Sequence, residues 1–289
     1  MGENSLCILV LNWNSIEDTA KVVDLLKDTQ WSICVVDNGS SDISEASSLK
    51  NHYPDVHVIQ TGMNLGYAGG MNTGMRWARA QGYSHVLLLN PDTAPTASVI
   101  EDMVQASKGY AVVGTAQVTD FGESYISAAN LHGRKVVPFR CETSCGQGHE
   151  VDVVSGAAIL IELATAESLG YMDQRFFHYK EEFDFCYRVT SSGARIKYNC
   201  NSALIHRRGG SLSGTSSSGM YYTFRNEVLF LRKHFGRTAY LSSPGLFRMA
   251  LRSVLRHPNN FRAITRGIYH GVMGVTGPLF DLTKGGNPQ

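Results

Sequence analysis

The sequence predicts an α/β chain in which a mostly parallel sheet is flanked by helices and followed by a helical C-terminal extension. Three observations carry this. Four short apolar runs in the first half lack polar alternation, which marks strands buried on both faces. Each run leads into a segment whose apolar residues recur at helical spacing, the pattern of parallel strands joined by crossover helices. Beyond residue 236 strand-like runs cease and two weaker helical patterns remain.

The elements follow in order. LCILVLNW (Leu6 to Trp13) is the first strand. In the helix after it Ser15 can cap, Glu17 and Asp18 suit the positive end of the dipole, and Ala20, Val23 and Leu26 share a face. SICVVDN is the second strand, followed by the turn GSSD and a helix to about His52. VHVIQ is the third strand, AGGMNTGMRWARAQG a glycine-opened helix, HVLLLN the fourth strand, and Thr96 to Ser107 a helix. YAVVGTAQVTD and VDVVSGAAILIE read as further strands, with Tyr125 to Glu150 a loop-rich insertion between them. A helix from about Glu181 to Ser191 and the strand RIKYNCNSALIH complete the core. RRGGSLSGTSSSG reads as a flexible loop, and MYYTFRNEVLFLRKHF as a strong helix. The expected division is a first domain over 1–236 and a basic helical extension over 237–289.

Composition bounds the function. At 289 residues, 43% hydrophobic and 18% charged, the chain can bury a sizeable core and is neither disordered nor fibrous. A net charge of +1 argues against a nucleic-acid partner. The charge is lopsided: nine Lys or Arg face one acid from Arg232 onward, whereas the first 231 residues carry 17 bases and 24 acids. No run of 18 uncharged apolar residues and no secretory leader is evident, so a cytoplasmic protein is expected. Cys7 and Cys34 fall inside apolar strands as buried thiols. Cys141 and Cys145, with His132 and His149 nearby, match no structural-zinc spacing, and free thiols in a loop are expected there.

The strand ends carry the chemistry. The fourth strand runs straight into Asn90 and Asp92; the first ends at Asn12 and Asn14, the second at Asp37, Asn38, Ser40 and Ser41, the third near Asn64, Gly66, Gly69 and Gly70. In a parallel sheet these tips form one rim where ligands bind. Acids and amides there suit a base and ribose, and glycines at a helix start let backbone approach a ligand. Neither G-x-G-x-x-G nor G-x-x-x-x-G-K-[ST] occurs, so the rim is neither a dinucleotide fingerprint nor a P-loop. FFHYKEEFDFCYR sets Glu181, Glu182 and Asp184 among phenylalanines at a helix start; apolar surroundings raise a carboxyl pKa, which suits a general base. His206 ends a strand just before the flexible loop.

The blocks ILVLNWNS, VVDNGSSD, NLGYAGGMNTGMRWA, LLLNPDT, VSGAAILI, FFHYKEEFDFCYR and ALIHRRGGS, in this order, resemble the family-2 inverting glycosyltransferases of GT-A fold, in the rhamnosyltransferase-like branch. The resemblance spans about residues 6 to 235. It implies a nucleotide-sugar donor, a dTDP- or UDP-sugar, with Asp37 facing the pyrimidine. Asn12, Asn14, Asn38, Asn64 and the loop from Gly66 through Gly69 to Asn72 would lie near the nucleoside. It implies Mg2+ or Mn2+ held at Asp92, the last position of the D-x-D motif, with His206 as a later ligand. Asn90 stands where many members have the first Asp, and its amide oxygen would ligate with one negative charge fewer. Glu182 falls on the catalytic base, with Glu181 and Asp184 shaping the acceptor side. The implied acceptor is a glycan or lipid-linked hydroxyl in cell-surface polysaccharide biosynthesis. The loop from Gly209 to Gly219 would close over the donor.

In the tail, Arg248, Arg252 and Arg256 recur every four residues, as do Arg262 and Arg266, with Phe247, Leu251 and Leu255 alongside. Such a helix either rests on an anionic membrane surface, on the inner face of the cell membrane, or packs on the core or on a second subunit of a homo-oligomer. Two rival functions remain at this level. A sugar-nucleotide nucleotidyltransferase would need a Gly- and Arg/Lys-rich loop after the first strand, and NWNSIEDTA has none. A non-catalytic nucleotide-sugar binding module would not need Asp92, Glu182 and His206 together.

Overall fold

The computed structural model describes residues 5–42, 44–141, 148–207 and 215–279. The first half consists of β1 (Leu6–Asn12), α1 (Ile16–Leu26), β2 (Ser32–Asp37), α2 (Ser44–His52), β3 (His57–Gln60), α3 (Gly66–Ala80) and β4 (His85–Leu89). Next come β5 (Thr93–Ala94), α4 (Ala97–Ala106), β6 (Val112–Val118), β7 (Ser124–Tyr125), β8 (Ala128–His132), β9 (Lys135–Phe139), β10 (Gly148–Val151), β11 (Val153–Val154) and β12 (Ala158–Glu162). The chain continues through α5 (Leu163–Ser168), α6 (Glu181–Ser191), β13 (Ile196–His206), α7 (Ser217–Phe235), α8 (Pro244–Arg256) and α9 (Phe261–Met273).

The main sheet has the order β10-β13-β6-β12-β4-β1-β2-β3. β3, β2, β1 and β4 are parallel, β12 runs antiparallel between β4 and β6, and β13 is parallel to β6. Successive residues serve opposite faces, as the two-residue strand period requires. Cys7 and Leu9 of β1 pack with Met71 and Met75 of α3 and with Phe185 and Val189 of α6. Ile8 and Val10 pack on the other face with Leu26 of α1 and Ile100 and Met103 of α4. Both faces are therefore dry, which explains why these strands read as continuous apolar runs.

Two expectations need correction. The insertion over 125–150 is not mainly loop: β8 and β9 form a hairpin across Gly133, and β11 joins them in a three-stranded second sheet. Cys141 is no free loop thiol, being joined in a disulfide to Cys200 on β13, with Cα atoms 6.5 Å apart. His132 sits exposed at the end of β8, and Cys145 lies outside the described residues. Cys7, Cys34 and Cys186 are buried free thiols.

The C-terminal helices pack on α7 around Phe224, Val228, Leu231, Leu246 and Ile264. α9 lies close against α7 because of Gly267: a Cβ there would stand 2.5 Å from the Tyr221 carbonyl oxygen. Among the described residues no helix is long and apolar enough to cross a membrane.

Candidate active site

The tips of β1, β2 and β3 are cross-linked by their own side chains. Asn12, fully buried, donates from Nδ2 to Asp37 Oδ1 (3.2 Å) and Ser40 Oγ (3.1 Å), and its Oδ1 accepts from Thr19 (2.9 Å). Ser40 Oγ also donates to Asp37 Oδ1 at 2.6 Å, and the Asn14 side chain accepts from the Ser41 N–H at 2.7 Å. Asn38 donates to Asn64 Oδ1 (3.2 Å) and the Gly66 carbonyl (3.1 Å), while Asn64 accepts from the Gly66 N–H (2.8 Å). Asn12, Asn14, Asp37, Asn38, Asn64 and Gly66 thus stand together as one hydrogen-bonded rim. Gly69 packs against Leu65 inside α3. Asn72 is apart from the rim: it is buried, and both ends of its amide are taken by the Met172 backbone (2.8 and 3.0 Å), so its part is to hold α3 to the 172 segment.

Asp92 and His206 meet because β5 pairs antiparallel with the end of β13, Thr93 opposite His206. Their side chains approach to 3.3 Å, Asp92 Oδ1 to His206 Nε2. On the other side of the ring, Nδ1 lies 3.2 Å from Gln117 Oε1. Since an amide oxygen only accepts, Nδ1 donates to Gln117, which turns Nε2 toward the carboxylate. Two ligands about 2.1 Å from an octahedral Mg2+ sit roughly 3.0 Å from each other. The pair, with the Asn90 amide two residues away, therefore fits a hard divalent cation in spacing and donor type. Gln117 is the outer partner that fixes the imidazole.

Glu181 and Glu182 open α6, and the segment before them is unusual. Phe177, Tyr179 and Lys180 all have left-handed backbone (φ 64°, 66° and 73°), a conformation costing about 1–3 kcal/mol each outside glycine. Two residues of α7 hold it. The Asn226 amide donates to the carbonyls of Phe176 (2.9 Å), His178 (2.7 Å) and Tyr179 (2.7 Å), its two hydrogens shared among three acceptors. The buried Arg225 guanidinium donates to the Phe176 carbonyl (2.6 Å), to Asn226 Oδ1 (2.9 Å) and to the Gly277 carbonyl. The loop is seated on the donor side by the Tyr67 N–H, which donates to the Phe177 carbonyl at 2.8 Å. Gly66 permits this approach: its φ is +72°, and a Cβ there would collide with that carbonyl.

These parts converge at Tyr67 and Gly156. The Tyr67 hydroxyl donates to the Gly156 carbonyl at 2.7 Å; a Cβ on Gly156 would lie 3.3 Å from Glu182 Cβ; and the next carbonyl, Ala157, accepts from the Asn90 N–H at 3.0 Å. Burial, with the charges of Glu181, Glu182 and Asp92, raises the Tyr67 pKa well above its ordinary value. Burial pushes both glutamates upward, Glu181 further through the charge of Glu182. Glu181 Oε2 is buried with no hydrogen-bond partner among the described residues. Asp184 differs. It is fully buried and bonded to Arg188, Lys233 and His234 at 2.9, 2.6 and 2.7 Å. Burial opposes its ionisation, but the hydrogen bonds from His234 and Lys233 hold its carboxyl below the usual range. These bonds make it a brace between α6 and α7. The loop expected to close over the donor lies largely outside the described residues, which resume at Thr215.

Sequence reasoning missed Tyr67, Gln117, Arg225 and Asn226. Gln117 is a buried polar residue inside an apolar strand, and Arg225-Asn226 a buried polar pair within an apolar helix; both are readable signals once burial is suspected. Tyr67 carries no such mark.

The chain is 28% identical over 243 residues to the low-salt glycan biosynthesis hexosyltransferase Agl10 of Haloferax volcanii, covering 81% of this chain and 78% of that protein. It is 24% identical over 232 residues to the N-acetylglucosaminyl-diphospho-decaprenol L-rhamnosyltransferase of Mycobacterium tuberculosis, covering 69% and 74%. Among solved structures it resembles GalNAc-T7 with UDP, GalNAc and Mn2+ (TM-score 0.62, 14% identity, 96% of this chain and 59% of that one). It also resembles S. aureus TarS 1-349 in complex with UDP-GlcNAc (TM-score 0.57, 14% identity, 93% and 81%). These likenesses show the GT-A fold expected from the sequence. The family model described as glycosyl transferase family 2 matches residues 7–168, more than half of the sequence, and the chain belongs to that family of glycosyltransferases.

Proposed function

We propose that this glycosyltransferase moves a sugar, rhamnose first among candidates, from a dTDP- or UDP-sugar to a hydroxyl of a glycan or lipid-linked acceptor in cell-surface polysaccharide synthesis, with inversion at the anomeric carbon. One set of contacts carries the reading: Gly156 stands against Glu182 and accepts from Tyr67, the next carbonyl, Ala157, binds the Asn90 N–H, and Asp92, two residues on from Asn90, meets His206 at 3.3 Å. The names of the curated relatives, a hexosyltransferase of glycan biosynthesis and a rhamnosyltransferase, support the substrate class.

The rim formed by Asn12, Asn14, Asp37, Asn38 and Asn64 holds the nucleoside, its groups already oriented by one another, so little ordering is left to binding. Asp92, His206 and Asn90 would hold Mg2+ or Mn2+, which when bound neutralises charge developing on the leaving diphosphate. Glu182 takes the proton of the attacking hydroxyl; its raised pKa brings it closer to working pH, and such a step contributes about 100- to 10,000-fold. Attack opposite the leaving group inverts the centre. Glu181 lines the acceptor side. In this reading residues 1–236 form the transferase domain.

Residues 237–289 form a basic extension that docks on an anionic membrane surface. Phe247, Leu251 and Leu255 of α8 are 73%, 51% and 73% exposed beside the exposed Arg248, Arg252 and Arg256, an apolar ridge with cations along it. Replacing the three apolar residues by Ser should abolish flotation with anionic vesicles; unchanged flotation removes the docking role.

Thermal-shift screening of dTDP- and UDP-sugars, with Mn2+ or chelator, tests the donor, because stabilisation follows binding to the folded state. NMR of the product's anomeric proton tests inversion. No stabilisation by any nucleoside diphosphate, or a retained anomer, overturns the proposal.

A further inference from the structure

A second cluster lies at the other end of β13. Cys141 follows β9, His149 is on β10 and Cys200 is on β13, and their ligand atoms all lie within 4.8 Å of one another. The positions are carried by regular backbone: His149 is paired with Tyr198 in the β10–β13 ladder, and the Phe139 ring packs 5.1 Å from the His149 ring and 5.8 Å from Tyr198. Cys200 is buried, while Cys141 and His149 are half-buried at the mouth, so small solutes can reach the cluster. The structure joins the two sulfurs across a separation of 59 residues.

Two sulfurs and an imidazole form a soft donor set, unlike the carboxylate, amide and imidazole at Asp92. A tetrahedral Zn2+ with Zn–S about 2.3 Å and Zn–N about 2.0 Å spaces its donors roughly 3.5–3.8 Å apart. The three ligand atoms already lie within 4.8 Å of one another, close to that spacing. We propose that the dithiol form of this chain binds one thiophilic divalent cation of the Zn2+ class through Cys141 Sγ, Cys200 Sγ and a ring nitrogen of His149, leaving a fourth position to water. Binding displaces two thiol protons. The disulfide must first accept two electrons and two protons from a thiol or phosphine reductant, so the S–S bond and the metal–thiolate site are alternative closures of one cluster. Either closure ties the β8–β9 insertion to β13. His206 lies six residues further along that strand, past the bulge between Asn199 and Ala203, and the two donor sets share no residue, so this site is distinct from the one at Asp92.

The test uses the full-length chain, reduced with a phosphine and stripped of metal, titrated with Co2+ in excess Mg2+. One equivalent should produce the thiolate-to-cobalt charge-transfer absorption and tetrahedral d–d bands, and Zn2+ should abolish both. His149→Ala should weaken Co2+ binding at least tenfold with its thiol count unchanged, Cys200→Ser should lose most of the charge-transfer band, and Asp92→Ala should leave the spectrum as it is. Circular dichroism checks that the variants fold; His149→Ala, which leaves both cysteines in place, carries the test if Cys200→Ser does not. Absence of these bands in the reduced chain, equal binding by His149→Ala, or a disulfide that cannot be reduced without unfolding would each overturn the proposal.

Discussion

The donor rim and the carboxylate loop face one another across Tyr67, yet they are built by opposite means. At the rim, polar groups bond to one another within a motif, as Asp37 does with Ser40 and Asn64 with Gly66, and between adjacent strand tips, as Asn12 does with Asp37 and Asn38 with Asn64. The loop at 176–180 makes a backbone bond of its own, from the His178 N–H to the Phe176 carbonyl at 2.8 Å, and leans on α7 as well. Its three left-handed residues are fixed by Arg225 and Asn226, nearly fifty positions downstream. In the proposed reading the donor grip is built by adjacent strand tips, whereas placement of the base depends on how α7 packs. Changes at the rim should act on donor affinity, and changes in the loop and its supports on turnover.

The largest effect should come from Glu182→Gln. Turnover should fall about 100- to 10,000-fold, with nucleoside diphosphate affinity unchanged by calorimetry. In the wild type, burial means that Glu182 takes up its proton at a higher pH than an exposed glutamate. As pH falls the base is therefore lost early, and the acid limb of kcat should lie above the ordinary carboxylate range. A variant with normal turnover removes Glu182 from the base role.

Asp92→Ala tests the opposite side. Diphosphate affinity should drop on the order of 10- to 100-fold with Mn2+ and hardly change in chelator. Gln117→Ala should reproduce part of this, about tenfold, by freeing the His206 ring, since outer partners of metal ligands typically contribute that much. Equal affinity with and without metal in the wild type would falsify the cation assignment.

Asn226→Ala sharpens the contrast between the two regions. Removing its donors takes one hydrogen bond from each of three carbonyls, at about 1–3 kcal/mol, and loosens the loop that leads into Glu182. Turnover should fall roughly tenfold with donor affinity kept. Asn38→Ala, which unties Asn64 and the Gly66 carbonyl, should do the reverse. If both variants alter kcat and affinity in the same ratio, the division between regions fails.

This contrast also sets how far the site could be read from sequence. The strands, their parallel order and the polar tips were legible because burial on two faces and turn chemistry are local constraints. Asp92 and His206 were each legible, and the family resemblance joined them at one metal, but the means of their meeting, the two-residue β5 bridging to β13, was not. Asn72 and Asp184 looked like site residues by type and position. Their bonds to the Met172 backbone and to Arg188, Lys233 and His234, which tie separate elements together, were not legible in the sequence. The hairpin at 128–139 was missed because its glycine-containing turn sat in a stretch too polar to mark strands, and Cys200 was overlooked as a partner of Cys141 for the same reason of distance.

The smallest expected effect, and the one that distinguishes the two glutamates, is at Glu181. Its carboxyl is buried, one oxygen lacks a hydrogen-bond partner among the described residues, and burial with the charge of Glu182 raises its pKa well above the usual value. A carboxyl whose folded pKa exceeds its unfolded one contributes stability below the unfolded pKa, and that stability is lost as pH rises through the folded pKa. The wild type should therefore lose stability from about pH 4.5 toward neutrality. Glu181→Gln, which carries no charge at any pH, should flatten that slope and raise Tm near neutrality by roughly 2–4 °C, on the order of 1 kcal/mol for a chain of this size. Its turnover should fall far less than that of Glu182→Gln, because the base keeps its place beside Gly156. A Tm–pH curve identical to the wild type would mean that solvent reaches the Glu181 carboxyl. A turnover loss equal to that of Glu182→Gln would mean that the two carboxyls share one proton and act as a single base.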